Sequence, residues 1–357
     1  MNFQNKTLII LSPGFPPDES ARHSSFLPAQ QNFVRGLNRN LPKLEIILFA
    51  FQFPTKEERQ GIYQWQGNTI IPFHGEAKSR LSTAVVLCKA FVMLLKLKRK
   101  KEIIGIISFW CGECCFVGSW FSKLFNYKHF CWLSGQDARA TNKLVKYIRP
   151  KPYELVAMSD FLMDEFSKNH HIRPQYVIPN AIDTSLFFDE QIEKTIDILG
   201  AGNLVPLKQY HIFVEVVAQI KKQIPALKAI LCGDGILAGN IKQQAEQAGL
   251  ENTLSFAGRL PHKEVLKQMQ KTKVFVHTSN YEGLSNVCIE ALYAGAHVIS
   301  FIRAMNHDIP HWHIVSTKEE MINTALSLLQ NEETEYTSVC PFDMNKSAKK
   351  FIELFAG

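Results

Sequence analysis

Two glutamates at a fixed spacing are the residues of this chain best suited to ligand chemistry. Glu282 stands before a predicted helix and Glu290 lies more than one turn inside it, so the two carboxylates cannot form a close dyad. Carboxylates accept paired hydrogen bonds from vicinal hydroxyls, and the spacing predicts that each glutamate holds a different part of one ligand. The alternative, two solvated glutamates, is favoured while the pair is considered alone.

The elements around these glutamates predict an anion site between them. The strand VFVHT is followed by the loop SNYEGLSN, a helix to about Gly295 and the strand HVISFI. Ser285 or Asn286 is suited to cap the helix, which leaves first-turn N–H groups at the positive end of the helix dipole for an anion. A diphosphate fits this position.

Short apolar runs alternate with longer helical patterns along almost the whole chain, which is typical of parallel βαβ units. The predicted strands are 7–12, 44–51, 69–73, 103–108, 128–133 and 154–159 in the first half, and 197–201, 228–233, 254–258, 274–278 and 297–302 in the second. The pattern predicts an α/β protein with doubly wound parallel sheets.

The length of 357 residues predicts two domains. A segment with two prolines followed by charged residues, HIRPQYVIPNAIDTSLFFDEQIEK, places their boundary near residue 180. We expect an N-terminal domain over 1–180, a C-terminal domain over 181–340, and a C-terminal helix over 341–357 that packs back on the N-terminal domain. Parallel strands form ligand crevices at their carboxyl ends, so a cleft between the domains is the expected site.

The segment EGLSNVCIEALYAGAHVI resembles the E-x7-E region of the retaining GT-B glycosyltransferases of family 4. The resemblance implies two Rossmann-like doubly wound parallel-sheet domains that face a central cleft. It also implies that Glu282 contacts the hydroxyls of a donor sugar and that Glu290 contacts the ribose of its nucleotide. Backbone amides after the first glutamate are then donor contacts, namely those of Gly283, Leu284, Ser285 and Asn286.

Two further segments resemble the donor side of this family. AGNLVPLKQY resembles a loop in which an arginine and a lysine bind the donor diphosphate, and Lys208 matches the lysine. Asn203, beside Gly202, stands where the arginine is expected and brings no charge. GRLPHKEV resembles a segment near the nucleotide base, which makes Arg259 and Leu260 candidate base contacts.

Two N-terminal segments resemble loops near the family's reacting centre. In CWLSGQDARATN, Gly135 and Asp137 match a family loop in which Ser134 replaces the usual histidine. Asp137 is a candidate acceptor of a proton from the substrate hydroxyl, or alternatively the N-cap of a helix that starts near Ala138. In SPGFPPDES and the residues after it, Gly14 and Arg22 are candidates for the acceptor side.

The resemblance implies retaining transfer of a hexose or related sugar from an NDP-sugar to a hydroxyl of a glycan or lipid-linked acceptor. Synthesis of a cell-surface polysaccharide or lipopolysaccharide is the expected setting, with no metal or other cofactor. Two alternatives stay open, an NDP-sugar epimerase of the same fold and a non-catalytic partner that only binds sugar nucleotides.

The positive charge of the chain is concentrated in its first half. Residues 1–180 contain 24 Lys and Arg against 13 Asp and Glu, a net charge of +11, while the whole chain carries +7. A basic cluster follows an apolar helical stretch, and it comprises Lys96, Lys98, Arg99, Lys100 and Lys101. Each such charge near an anionic lipid leaflet contributes about 1 kcal/mol, so we expect peripheral membrane contact. Aromatic residues are not interleaved with the cluster, which disfavours nucleic acid.

The eight cysteines lie mostly in apolar segments, which is typical of reduced thiols and predicts a cytoplasmic protein. Together with the basic cluster, this predicts a location at the inner face of the membrane. Cys111, Cys114 and Cys115 form the motif CGECC. The sequence supplies neither a second CxxC nor a histidine pair nearby, so we predict structural thiols and no metal site.

Overall fold

A computed structural model describes residues 3–20, 27–76, 79–188 and 192–356 of the chain. The chain divides into two compact units, of which the first comprises 1–181 with 342–357 and the second comprises 182–341. Among the described residues, every helix is too short or too polar to cross a membrane.

The first unit is an eight-stranded sheet with helices between its strands. Its strand order is β3-β4-β2-β1-β5-β6-β7-β8. Its elements are β1 Lys6–Gly14, α1 Pro28–Asn40, β2 Glu45–Phe53, β3 Tyr63–Trp65, β4 Asn68–Pro72, α2 Arg80–Lys98, β5 Glu102–Phe109, α3 Glu113–Phe125, β6 His129–Trp132, α4 Val145–Ile148, β7 Leu155–Ala157, α5 Asp160–His170, β8 Tyr176–Val177 and, after the second unit, α11 Met344–Glu353.

The edge strand β3 is an addition to the predicted sheet. It pairs antiparallel with β4 through a two-residue turn at Gln66 and Gly67, both of which have positive φ. Tyr63 and Trp65 are buried while Gln64 between them is exposed. A strand of three residues is too short for its alternation of apolar and polar residues to be recognised in the sequence. The strands β8 and β14 (Trp312–Ile314) were missed for the same reason.

Helix α11 completes the core of the first unit against α1. A Cβ on Gly36 of α1 would lie 3.0 Å from the carbonyl oxygen of Met344, so the two helices cross closely at a position where any larger residue would be crowded. Phe351 of α11 is fully buried, with ring centroids 5.2 Å from Phe33 and 5.6 Å from Trp132. The last helix of the chain therefore supplies core packing to its first unit.

The second unit is a six-stranded parallel sheet with the order β11-β10-β9-β12-β13-β14. Its elements are β9 Ile196–Ala201, α6 Tyr210–Lys221, β10 Ala229–Cys232, α7 Ala238–Gln247, β11 Leu254–Gly258, α8 His262–Gln270, β12 Thr272–His277, α9 Asn286–Tyr293, β13 His297–Ser300, β14 Trp312–Ile314 and α10 Lys318–Gln330. The order runs outward from β9 in both directions, as in a dinucleotide-binding sheet. The strands β9 and β12 therefore flank the point where the winding reverses.

The reversal point is where a parallel sheet of this kind forms a ligand crevice. Consecutive connections leave β9 and β12 on opposite sides of the sheet, which opens a crevice at their carboxyl ends. The loop after β9 contains Lys208, and the loop after β12 contains Glu282. Two distant parts of the chain thus meet at the position that parallel sheets use for binding.

We expect the substitution Phe351→Ala to lower the free energy of unfolding of the protein by about 3 to 5 kcal/mol, because it leaves a cavity among buried rings. Glu353→Ala, at an exposed position of the same helix, is the matched control and should change stability little. Denaturant unfolding monitored by fluorescence measures both. A Phe351→Ala protein as stable as the control would contradict the packing role of α11.

Candidate functional site

The loops after β9 and β12 are held together by hydrogen bonds to backbone carbonyls. A short 3₁₀ turn, Pro206–Lys208, follows β9 and leads into α6. The Thr278 hydroxyl donates to the Lys208 carbonyl oxygen at 2.7 Å, and the Asn280 N–H donates to the Leu207 carbonyl oxygen at 3.3 Å. These bonds fix the backbone of Lys208 relative to the start of the Glu282 loop.

Lys208 and Glu282 form an ion pair in this position, through Lys208 Nζ and Glu282 Oε1. Each side chain keeps 20% of its surface exposed, so the pair is partly removed from water but can be reached by a ligand. Burial lowers the pKa of Lys208 below its ordinary value. The pair brings a cation and a carboxylate together at the crevice, and the roles that the resemblance implies for them, toward a diphosphate and a sugar hydroxyl, stay predictions.

His277, the last residue of β12, lies behind this pair. Its side chain is 3% exposed, and Nε2 is 3.5 Å from Glu282 Oε1. Burial, with a smaller effect from the charge of Lys208, lowers the pKa of His277 to about 3, so its imidazole is neutral at pH 7. The sequence prediction missed it, because a histidine that ends an apolar strand resembles any buried core histidine.

Glu290 has a different partner from Glu282. It lies in α9 with 8% of its surface exposed, and its Oε1 is 2.9 Å from Nε2 of His262, the first residue of α8. The two glutamates are therefore separate carboxylates with separate histidine neighbours. Sequence reasoning also missed His262, although its place directly after the GRLP segment was a signal that could have been followed.

The remaining predicted donor residues lie on the loops of the same unit. Ser285 is the N-cap residue of α9, and its side chain makes no capping hydrogen bond within the described residues. Gly283 and Leu284 are buried, Asn286 begins α9, and Asn203 is exposed after β9. Further along the chain, Arg259 is exposed and Leu260 is partly buried just before α8. Their donor contacts stay predictions.

Gly202 and Gly233 bring the ends of β9 and β10 into contact. Gly233 has φ 137°, and a Cβ placed on it would lie 1.9 Å from the Gly202 carbonyl oxygen. The Gly202 N–H donates to the Cys232 carbonyl oxygen at 3.0 Å. Both glycines therefore shape the loop that leads to Lys208.

The predicted acceptor-side loop of the first unit forms a tight turn. The Asp137 carboxyl accepts the Ser134 backbone N–H at 2.7 Å within the 3₁₀ turn Gly135–Ala138, so the helix expected from Ala138 onward is wrong. Asp137 is 5% exposed, and burial raises its pKa to about 7. This geometry is that of a capping group, and the catalytic role of Asp137 stays a prediction.

The other two acceptor-side candidates belong to the loop after β1. Gly14 ends β1, and its carbonyl oxygen accepts the Ser12 hydroxyl at 2.6 Å. Arg22 lies outside the described residues.

The cysteines of the CGECC motif are buried, and the fold adds a distant thiol to two of them. The sulfur atoms of Cys111, Cys115 and Cys131 lie within 4.8 Å of one another, whereas Cys114 is not part of this group. Hydrogen bonding to Cys115 raises the pKa of Cys111, and burial raises that of Cys131, both well above the ordinary value. Hydrogen bonds from Cys111 and Cys131 lower the pKa of Cys115 to about 6, so the three sulfur atoms form one hydrogen-bonded group. Metal binding would require these sulfurs as thiolates, and the expected absence of a metal site stays a prediction.

Comparison with known proteins identifies a family for most of the second unit. Residues 183–335 match the family model of the glycosyl transferases group 1. The chain is 25% identical over 165 residues, 45% of its length, to the phosphatidylinositol N-acetylglucosaminyltransferase gpi3 subunit of Schizosaccharomyces pombe, and this match covers 36% of that protein. It is 36% identical over 101 residues, 28% of its length, to the Vi polysaccharide biosynthesis protein VipC/TviE of Salmonella typhi, of which the match covers 17%. The chain thus spans less than half of the length of these two curated relatives.

A solved structure is similar in fold over the whole chain. Anabaena Alr3699/HepE, in complex with UDP and glucose, is similar with a TM-score of 0.68 and 16% identity over 99% of this chain and 100% of that one. The predicted family is confirmed over residues 183–335, which match the group 1 glycosyl transferases, and the predicted GT-B fold is confirmed for the chain.

We expect Gly233→Ala to destabilise the protein by about 3 kcal/mol, because its backbone conformation and its contact with Gly202 both exclude a Cβ. Gly239→Ala is the matched control, since Gly239 lies in α7 with open space where a Cβ would stand, and alanine there should stabilise by about 0.5 kcal/mol. Thermal and denaturant unfolding of both variants measure the difference. Equal stability of the two would contradict the constraint at Gly233.

Proposed function

We propose that the chain is a retaining, metal-independent glycosyltransferase that moves a sugar from an NDP-sugar to a hydroxyl of a glycan or lipid-linked acceptor. The observation that carries the proposal is the meeting of Lys208 and Glu282 at the reversal point of the second sheet. A cation and a carboxylate at that point fit the two chemically different ends of a sugar diphosphate. Glu290 on the following helix suits the ribose of the same donor.

The proposed reaction uses positive charge where the donor develops negative charge. The bond between the anomeric carbon and the phosphate oxygen breaks, and a bond to the acceptor oxygen forms on the same face of the sugar. The acceptor proton passes to the departing phosphate oxygen. Lys208 and the N-terminal amides of α9 stabilise the diphosphate, which is the role that a metal ion fills in other transferases.

The relatives support a role in the synthesis of cell-surface polysaccharide or lipopolysaccharide. The Salmonella protein is named for polysaccharide biosynthesis, and the Anabaena structure contains UDP and glucose. We therefore propose a nucleoside diphosphate hexose as donor, with uridine diphosphate as the first nucleotide to test.

We expect Lys208→Met to weaken binding of both NDP and NDP-sugar, and Glu282→Gln to weaken only the contribution of the sugar. A hydrogen bond to a charged group contributes about 1.5 to 3 kcal/mol, so each loss should be roughly 10- to 150-fold in dissociation constant. Isothermal titration against UDP, GDP, ADP and their sugars measures both. Lys273→Met is the matched control, because Lys273 forms an ion pair of similar exposure with Asp197 outside the site.

The outcomes of this titration separate the proposed function from its alternatives. A wild-type protein that binds no NDP-sugar at millimolar concentration contradicts the proposal. Incubation with donor alone distinguishes the epimerase, which would return a rearranged NDP-sugar instead of released or transferred sugar. A protein that binds the donor yet leaves cellular glycan unchanged when Glu282 and Glu290 are replaced is a non-catalytic partner.

We further propose that the first unit contacts an anionic membrane through α2. The exposed side chains Leu81, Val85 and Val92 recur at helical spacing on one face of α2. The five basic residues 96, 98, 99, 100 and 101 at its carboxyl end are all exposed. An apolar stripe that ends in a basic cluster is suited to the interface of an anionic bilayer.

We expect Lys96→Glu, Arg99→Glu and Lys100→Glu together to lower binding to phosphatidylserine vesicles by at least 100-fold, since each basic residue near the surface contributes about 1 kcal/mol. The matched control replaces three exposed lysines of the second unit, Lys222, Lys228 and Lys242, by glutamate. Co-sedimentation at low and high salt measures both triple variants. Equal loss in the two would show that net charge alone drives binding and would contradict a surface on α2.

A further inference from the structure

The Lys208–Glu282 ion pair poses a problem for donor binding. Under the proposed function, Lys208 has to bind the diphosphate and Glu282 has to bind the sugar hydroxyls. In the structure the two side chains are instead paired with each other. When Lys208 turns to the phosphate, Glu282 loses a charged partner in a site where only 20% of its surface meets water. A carboxylate in such surroundings needs another donor to stay ionised and oriented.

His277 can supply a hydrogen-bond donor to the Glu282 carboxylate. Its Nε2 is 3.5 Å from Glu282 Oε1, the same oxygen that pairs with Lys208. Nε2 is fully buried and has no hydrogen-bond partner among the described residues. Buried polar atoms without a partner are rare in folded proteins, because each costs about 1 to 3 kcal/mol. A shift of about 0.5 Å would bring the two atoms to hydrogen-bond distance.

The backbone and packing around His277 favour a fixed donor. His277 ends β12, whose parallel pairing places it opposite Ser300 of β13. Its ring lies nearly parallel to that of Phe275, with an interplanar angle of 18°. His277 is buried at the end of a strand, whereas Glu282 lies on a loop and is partly exposed, so Glu282 is the partner that we expect to move.

We propose that His277 is a positioning residue. When Lys208 pairs with the donor diphosphate, the Glu282 carboxylate leaves Lys208 and accepts a hydrogen bond from His277 Nε2, an exchange that we call the handover. The handover leaves the second carboxylate oxygen of Glu282 for the sugar hydroxyls. The Lys208–Glu282 ion pair and the carboxylate held by His277 are then two arrangements of one site. This inference rests on the proposed function, because it assigns Lys208 and Glu282 to the two ends of an NDP-sugar.

In this arrangement His277 strengthens binding of the sugar through Glu282 and does not contact the nucleotide. The ratio of the dissociation constants for NDP and for the matching NDP-sugar therefore isolates its role. A residue that merely supports the fold would weaken both ligands together, since it would distort the shared crevice.

The experiment compares His277→Gln with His277→Asn. The glutamine amide nitrogen reaches the position of Nε2, whereas the shorter asparagine amide does not, and both variants remain polar. We expect His277→Asn to weaken NDP-sugar binding by 5- to 50-fold with NDP binding within twofold of wild type, and His277→Gln to restore most of the loss. Isothermal titration with UDP and UDP-glucose, or with the nucleotide found to bind, measures both.

Three outcomes have distinct meanings. If His277→Asn leaves the ratio of NDP to NDP-sugar affinity unchanged, or weakens both ligands equally, the handover is overturned. If glutamine fails to restore the sugar contribution, a hydrogen bond from Nε2 is not the cause and the proposal is also overturned. If the wild-type protein binds neither ligand, the proposed function itself has failed. His297→Gln, at another buried histidine of the same unit, is the control and should leave the ratio unchanged.

Discussion

The ion pair between Lys208 and Glu282 is the interaction on which the functional account depends. It forms because strand order places β9 and β12 side by side and because their following loops are bonded through Thr278. A lysine and a carboxylate of this kind are ordinary on a protein surface, where such pairs contribute little. Here the pair lies at the reversal point of a parallel sheet and is only partly exposed. Our proposal is that a donor separates it, with the diphosphate on the lysine and the sugar on the carboxylate.

The fold was readable from the sequence because its long elements repeat one pattern. Apolar β-branched runs alternate with helical stretches, and the E-x7-E segment joins a strand, a loop and a helix in the order that the family uses. These features predicted the α/β class and the GT-B fold, which are confirmed for the chain, and the family, which is confirmed over residues 183–335. The short strands β3, β8 and β14 were missed, because two or three residues carry no periodicity.

The finer chemistry of the site could not be predicted for a different reason. His277 and His262 are candidate site residues because they lie close to Glu282 and Glu290, respectively. Neither distance can be predicted from the spacing of these residues along the chain. Cys131 joins Cys111 and Cys115 only through the pairing of β6 with β5. For Asp137, the residue type alone fitted both an acid–base role and a capping role. The structure shows the capping contact, in which its carboxylate accepts the Ser134 backbone N–H.

A crystal structure of the protein with its NDP-sugar bound tests the central claim most directly. The account predicts that the pair is open in that complex, with Lys208 Nζ within about 3 Å of a phosphate oxygen and Glu282 on the sugar hydroxyls. A donor bound in the second unit while Lys208 and Glu282 remain joined would contradict it. So would a donor bound away from the carboxyl ends of β9 and β12.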